Sequence, residues 1–171
     1  MDRAQLEREL EALHMECWGW ALACCQRDRE LAEDALQSAY LRVFSGRARF
    51  DGRSSVRTWV FGVIRLTAME EQRRRRSWTT RKAGLETTVE VEDPAARADA
   101  TAESSEQSAT LLAALATVSP RQREVLQLVF YHGMTIDEAA KVMNVSIGSA
   151  RTHYERGKKA LAQTLVDSRS P

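Results

Sequence analysis

The sequence predicts an all-α protein: two small helical domains joined by a flexible linker. Three observations carry that expectation. Apolar residues recur at helical spacing through two blocks, with no sustained strand-like alternation. Gly and Pro, only 8 and 3 of 171 residues, are scarce inside those blocks, so long helices are not interrupted. Between the blocks, residues 77–107 change to Ser, Thr, Ala, Asp and Glu with a single Pro94. The length suits one ordinary domain or two small ones, and no repeat of fixed period is present.

A first helix is expected over residues 4–26, with Leu6, Leu10, Leu13 and Cys17 on one stripe that Trp20, Ala21 and Cys24 continue. A second covers 30–45, where Leu31, Ala35, Leu36, Ala39, Tyr40, Val43 and Phe44 make one broad apolar face and Gly46 stops the helix. Residues 47–53 read as a loop turning at Asp51-Gly52. Ser54 or Ser55 caps a third helix running to about Arg74, with Val56, Trp59, Val60, Val63, Ile64 and Thr67 inward. The segment 77–107 has too little apolar surface to offset its ordering entropy and reads as the linker, with Trp78 free to dock on either domain.

The C-terminal block has the clearest punctuation. A helix over about 108–116 is followed by Ser119-Pro120-Arg121-Gln122, which opens a second. There Pro120 occupies the first turn, where its missing N–H costs nothing. That helix ends near His132-Gly133. Thr135-Ile136-Asp137-Glu138 is a second capping box, Asn144 suits a left-handed turn, and Ser146 caps a last helix to about Leu165. Short helix, tight turn and longer helix make a helix-turn-helix. Ile136, Ala139, Ala140, Val142 or Met143, Val145, Ala150, Tyr154, Gly157 and Leu161 form its core. Outward at the start of the last helix stand Gly148, Ser149, Arg151, Thr152 and Glu155, then Arg156, Lys158 and Lys159. Such a helix places Arg, Ser and Thr against base edges and phosphates in the major groove. The plainer alternative is a solvated charge ladder, Arg151-Glu155-Lys159.

Net charge is only +1, but it is unevenly spread. Residues 1–76 are net +2, 77–107 net −4 and 108–171 net +3, so two basic blocks flank an acidic spacer. Several function classes are disfavoured. No apolar run approaches the roughly 20 residues of a membrane span, and the charged N-terminus has no secretory signature, which makes the cytoplasm the expected compartment. Cys17, Cys24 and Cys25 are too few and oddly numbered for a disulfide framework. With His14 they could form a metal or redox site, but the spacing matches no zinc pattern and buried packing is expected, with no metal and no cofactor. No phosphate loop or nucleophile-base pattern points to an enzyme.

Three runs in the C-terminal block, Ser119 to Leu126, Gly133 to Ala140 and Val145 to Arg151, resemble the C-terminal domain of bacterial sigma factors. In the N-terminal block, Ala32 to Phe44 resembles the sigma helix that docks on the RNA polymerase clamp. Arg49 to Phe61 resembles the loop and helix that recognise and melt the minus-ten element. Both motifs in this order before such a domain are similar to the extracytoplasmic-function (ECF) group of sigma factors. The resemblance implies binding to core RNA polymerase at its clamp and flap, promoter DNA as ligand, and an anti-sigma factor as a regulatory partner. It implies polymerase contacts at Asp34, Gln37 and Arg42. For the minus-ten element it implies Phe50, Arg53, Ser54, Ser55, Arg57, Thr58, Phe61 and Arg65, with phosphate contacts at Arg73 and Arg74. For the minus-thirty-five element it implies Ser146, Gly148, Ser149, Arg151, Thr152 and Arg156. Trp59, in phase with Val56, Val60 and Val63, is expected in the core, and Phe61, off that stripe, is the expected base-facing aromatic.

The chain departs from the family pattern at Leu66, where many members have Asn, at His153 and Glu155 on the last helix, and at Glu70-Glu71-Gln72 before the arginines. A rival function is a stand-alone helix-turn-helix regulator with an N-terminal protein-interaction module. The acidic linker could also mimic nucleic acid in a polymerase channel, a role resting only on its charge.

Overall fold

The computed structural model describes residues 2–83, 115 and 118–167. The chain divides into two compact units, Met1–Pro94 and Ala95–Pro171. All regular structure among the described residues is helical, as expected. The expected helix over about 108–116, the proposed nucleic-acid mimicry of the linker, and most of the linker itself lie outside the described residues.

The N-terminal unit contains α1 (Arg3–Ala12), α2 (His14–Cys24), α3 (Arg29–Phe44) and α4 (Val56–Ala83). The single helix expected over 4–26 is interrupted at Leu13. The break is one residue deep, since Leu13 N–H still reaches Glu9 O and Cys17 N–H reaches Leu13 O. After α2 the chain reverses through Gln26 and Arg27, both left-handed (φ 53° and 66°), an uncommon conformation for residues with a side chain. Asp28 then caps α3 by accepting from Leu31 N–H at 3.0 Å.

The core forms where α2 and α3 pack on α4. Its centre is Trp20, with none of its surface exposed. Its indole stacks on Phe61 at 5.7 Å and 5°, and its N–H donates to the Phe61 carbonyl at 3.0 Å. Leu10, Cys17, Ala21, Ala32, Ala35, Leu36, Ala39, Val43, Val60, Ile64 and Ala68 complete it.

The third helix was expected to end near Arg74, with the linker from residue 77. Instead α4 continues to Ala83. The start of this extension is tied to the bundle, because Arg75 pairs with Asp28 at 2.7 Å and approaches Glu30 at 3.9 Å. Trp78, placed by sequence in the linker, lies on this extension and is largely exposed beside Leu31, Arg74 and Arg75.

In the C-terminal unit, α5 (Pro120–Leu126) passes into a π-helical turn, Gln127–Tyr131, closed by His132 N–H to Gln127 O at 3.1 Å. Gly133 then takes φ 62° and ends the segment where the sequence placed it. Helices α6 (Ile136–Met143) and α7 (Ile147–Asp167) follow. The core is Val125, Leu126, Leu128, Met134, Ala139, Ala140, Val142, Met143 and Ala150.

Gly157 faces α5 so closely that an added Cβ would lie 2.9 Å from Leu126 Cδ1 and 3.2 Å from Gln122 Cβ. Gly157→Ala therefore destabilises the C-terminal unit by about 1–2 kcal/mol, overpacking outweighing the gain in helix propensity. Gly148→Ala meets only Ser146 Oγ at 3.9 Å and leaves thermal stability equal or higher, as melting of the two variants checks.

Burial pushes the Cys17 thiol up to about 11 and that of Cys25 to about 12, from an ordinary value of 9.0. The folded unit holds these protons while the unfolded chain releases them. Their contribution is therefore complete below about pH 9 and declines as pH rises toward 11–12. Urea midpoints measured from pH 8 to 11 should fall, and fall less in the Cys17→Ala, Cys25→Ala double variant.

Candidate nucleic-acid interface

The helix-turn-helix is assembled by local chemistry. Thr135 and Glu138 form the expected reciprocal cap: Thr135 Oγ1 accepts from Glu138 N–H at 3.2 Å and Glu138 Oε2 from Thr135 N–H at 2.8 Å. Asn144 adopts φ 54°, ψ 52°, the left-handed turn its short amide tolerates. Val145 N–H donates to Ala140 O at 3.0 Å, which locks the turn. Ser146 Oγ caps α7 by accepting from Ser149 N–H at 3.1 Å.

The outward face of α7 is as expected from the sequence. Ser146, Gly148, Ser149, Arg151, Thr152, Glu155, Arg156, Lys158 and Lys159 are all exposed, while Ala150 and Gly157 are buried. The alternative charge ladder does not form as drawn. Glu155 approaches Lys158 at 3.8 Å, and Arg151, Arg156 and Lys159 have no ion pair among the described residues. Three hydroxyls are engaged locally: Thr152 donates to Gly148 O at 2.9 Å, and Ser149 Oγ lies 2.9 Å from Ser146 Oγ. Ile147 is an exposed apolar side chain at the same helix start, absent from the sequence-based set; its position ahead of Gly148 on the groove-facing turn could have drawn attention to it.

In the N-terminal unit the structure brings some expected residues together and withdraws others. Phe50, Arg53, Ser54 and Ser55 lie in the segment between α3 and α4. Ser55 is the N-cap of α4, its Oγ accepting from Thr58 N–H at 3.1 Å and donating to Thr58 Oγ1 at 2.9 Å. Arg53 N–H donates to Asp51 at 3.1 Å, and its guanidinium pairs with the same carboxylate at 3.4 Å.

Three residues expected on the single-strand side are in the core instead. Thr58, Phe61 and Arg65 are buried, with Phe61 wholly so against Trp20. Presenting Phe61 to a base would require opening the bundle. The expectation for Trp59 is corrected with it: Trp59 is half-exposed and meets Phe50 edge-on at 5.4 Å and 60°. The reason is that α4 packs on two helices, so a second stripe, Thr58-Phe61-Arg65-Ala68, is buried beside the first. Arg57, half-buried, pairs with Glu16 at 2.7 Å and lies 5.6 Å from the Phe61 ring centroid. Arg73 and Arg74 are exposed on the α4 extension, and Arg74 pairs with Glu71 at 2.6 Å.

On α3, Asp34 and Gln37 are exposed on one stripe that Leu41, 64% exposed, and Phe44 continue. Leu41 and Phe44 were missed because the sequence grouped Phe44 with the core. Arg42 faces elsewhere: its guanidinium pairs with Glu70 of α4. That hydrogen bond holds the Glu70 carboxyl below the usual carboxylate range and raises Arg42 in turn.

The unusual Glu70-Glu71-Gln72 run also acquires a physical reason. Glu71 accepts from Ser38 at 3.4 Å, and Gln72 donates to Cys24 O at 2.7 Å, so the three residues join α4 to α3 and α2. Cys17 and Cys25 are buried and Cys24 partly so. His14 Nδ1 lies 3.1 Å from the Tyr40 hydroxyl, and no cluster of three potential metal ligands occurs among the described residues.

A two-unit helical protein with this helix-turn-helix defines the class of DNA-binding transcription proteins. Residues 11–79 match Sigma-70 region 2, and residues 108–161 match Sigma-70, region 4. The chain is 33% identical to the ECF RNA polymerase sigma factor SigX of Bacillus subtilis over 141 residues, 81% of this chain and 73% of that one. It is 29% identical to the ECF sigma factor SigC of Mycobacterium tuberculosis over 144 residues, covering 83% and 74%. The fold resembles the sigma factor RpoE in complex with the anti-sigma factor NepR from Bartonella quintana (TM-score 0.70, 20% identity, 96% and 99% covered). It also resembles CnrH in complex with the cytosolic domain of CnrY (TM-score 0.64, 17% identity, 99% and 92% covered). The chain belongs to the ECF RNA polymerase sigma factors. It is a transcription initiation factor that works with core RNA polymerase in promoter recognition.

Proposed function

We propose a division of labour between the two units. The outward stripe of α3, Asp34, Gln37, Leu41 and Phe44, docks on the polymerase clamp. The segment carrying Phe50, Arg53, Ser54 and Ser55, with Trp59 beside it, receives an unstacked base of the minus-ten element. Unstacking costs a few kcal/mol, and the Phe50–Trp59 pair offers the aromatic surface that offsets it. Arg73, exposed on α4, lies toward the phosphates, while Arg57 and Arg74 are held by Glu16 and Glu71. The C-terminal unit docks near the polymerase flap and reads the minus-thirty-five element with Ser146, Gly148, Ser149, Arg151, Thr152 and Arg156. The working N-terminal domain extends to Ala83 rather than 76.

The observation that carries this reading is that α7 exposes Arg151 and Arg156 without ion pairs among the described residues, on a helix-turn-helix whose core is built from other side chains. The protein acts in the cytoplasm as a binding factor and catalyses no reaction itself. No helix among the described residues is long and apolar enough to cross a membrane. An anti-sigma factor is the regulatory partner, a reading supported by the two similar folds being those of sigma factors in such complexes.

Arg151→Ala should weaken binding of polymerase holoenzyme to promoters by about 1–3 kcal/mol and relax sequence preference in the upstream element. An unchanged promoter profile would return Arg151 to the solvated surface. Asp34→Ala with Gln37→Ala should lower affinity for core polymerase while circular dichroism and melting stay as in the parent. A chain that binds promoter duplex tightly alone and is not retained by core polymerase would favour the stand-alone regulator instead.

A further inference from the structure

The bridge between α3 and α4 does something the exposed faces do not. Arg42, expected to touch polymerase, turns its guanidinium to Glu70 of α4. Its backbone carbonyl simultaneously accepts from Ala48 N–H at 2.9 Å, and from the Ser45 hydroxyl at 3.3 Å. One residue therefore ties together the end of α3, the middle of α4, and the first turn of the segment bearing Phe50. Gly46 (φ 72°) makes that turn, with its N–H on Val43 O at 3.1 Å and its carbonyl accepting from Arg49 Nε at 3.3 Å.

We propose that Arg42 is a positioning residue for promoter opening: through Glu70 it fixes where the Phe50-bearing segment stands relative to α4, and it makes no contact with polymerase. Both side chains are substantially exposed, 33% and 41%, and an ion pair so exposed adds little to stability. Its value lies in holding geometry, and capture of an unstacked base is sensitive to displacements of an ångström. The flanking contacts act in the same direction. Ser38 to Glu71 and Gln72 to Cys24 O fix α4 on α3 and on α2 directly after the pair. The polymerase-facing stripe of α3 is complete without Arg42, since Asp34, Gln37, Leu41 and Phe44 lie on a different side of the helix.

The inference rests on the reading that the Phe50 segment serves promoter opening, and the experiment separates the two. Holoenzymes carrying Arg42→Ala, Glu70→Ala, the charge swap Arg42→Glu with Glu70→Arg, and Phe50→Ala are compared. Three quantities are measured: affinity for core polymerase, open-complex formation on duplex promoter, and initiation on the same promoter already melted across the minus-ten region. Arg42→Ala and Glu70→Ala should each leave core affinity unchanged and slow opening about tenfold, the size of a typical coupling between sites. The pre-melted template should restore initiation in both, and the charge swap should recover most of the duplex activity.

Loss of core affinity in Arg42→Ala but not Glu70→Ala overturns the proposal and makes Arg42 a polymerase contact. A lower melting temperature with opening unchanged also overturns it, leaving a structural tie. Slow opening in Phe50→Ala with none in Arg42→Ala overturns the positioning role and leaves the segment's role standing. Normal opening in both overturns the role of the segment itself.

Discussion

The N-terminal unit depends on the contact between Trp20 and Phe61. An indole buried without its N–H satisfied would cost about 1–3 kcal/mol, and the partner it finds is a main-chain carbonyl of α4 rather than another side chain. That choice fixes α2 to the backbone of α4, not to a mobile group on it. The stacked rings then exclude water from the surrounding aliphatic residues. With α4 held this way from one side and by α3 from the other, only its remaining arc is available to a ligand. Trp59, Leu66, Met69 and Arg73 lie on that arc, and the segment before Val56 meets it at its start. Where DNA can be received is thus decided by how the core is closed.

This explains which parts of the molecule were legible in sequence. The C-terminal unit was read closely because its signals are local. Thr135-Glu138, Asn144 and Ser146 each act within three or four residues, and a cap or a left-handed turn needs no distant partner. The polarity of α7 followed from simple periodicity, since it packs through one stripe. The polarity of α4 did not. A helix gripped by two neighbours buries a wider arc, and nothing in a single sequence says which second stripe is covered when it contains Thr58 and Arg65. The same blindness affected the helix end. Four successive arginines look like a fraying terminus, and only the fold brings Asp28 and Glu30 close enough for Arg75 to extend α4.

The family resemblance was correct about the class, and the residues it points to differ in which way they face, for a related reason. A motif records positions, not directions. Arg42 stands in the motif of the docking helix yet points to Glu70, while Leu41 and Phe44, adjacent in the same motif, occupy the exposed stripe. One departure from the family pattern, the Glu70-Glu71-Gln72 run, belongs to the same bridge. Glu70, Glu71 and Gln72 form one polar seam across three helices, and its members make sense only together.

A chain of net charge +1 binds a polyanion because its charges are sorted, not because they are many. In the N-terminal unit, acids are placed against arginines: Glu16 on Arg57, Asp28 on Arg75, Glu70 on Arg42, Glu71 on Arg74. Pairs such as these shape a scaffold and contribute little net field. On α7 the arrangement is opposite. Arg151, Arg156 and Lys159 project from one helix with Glu155 turned to Lys158, so their positive potential is not cancelled at the surface where a groove would lie. Counterion release on DNA binding counts the cations that actually neutralise phosphates. The salt dependence of promoter binding should therefore follow the few uncancelled cations of the recognition helix and the exposed Arg73, and not the 25 basic residues of the whole chain.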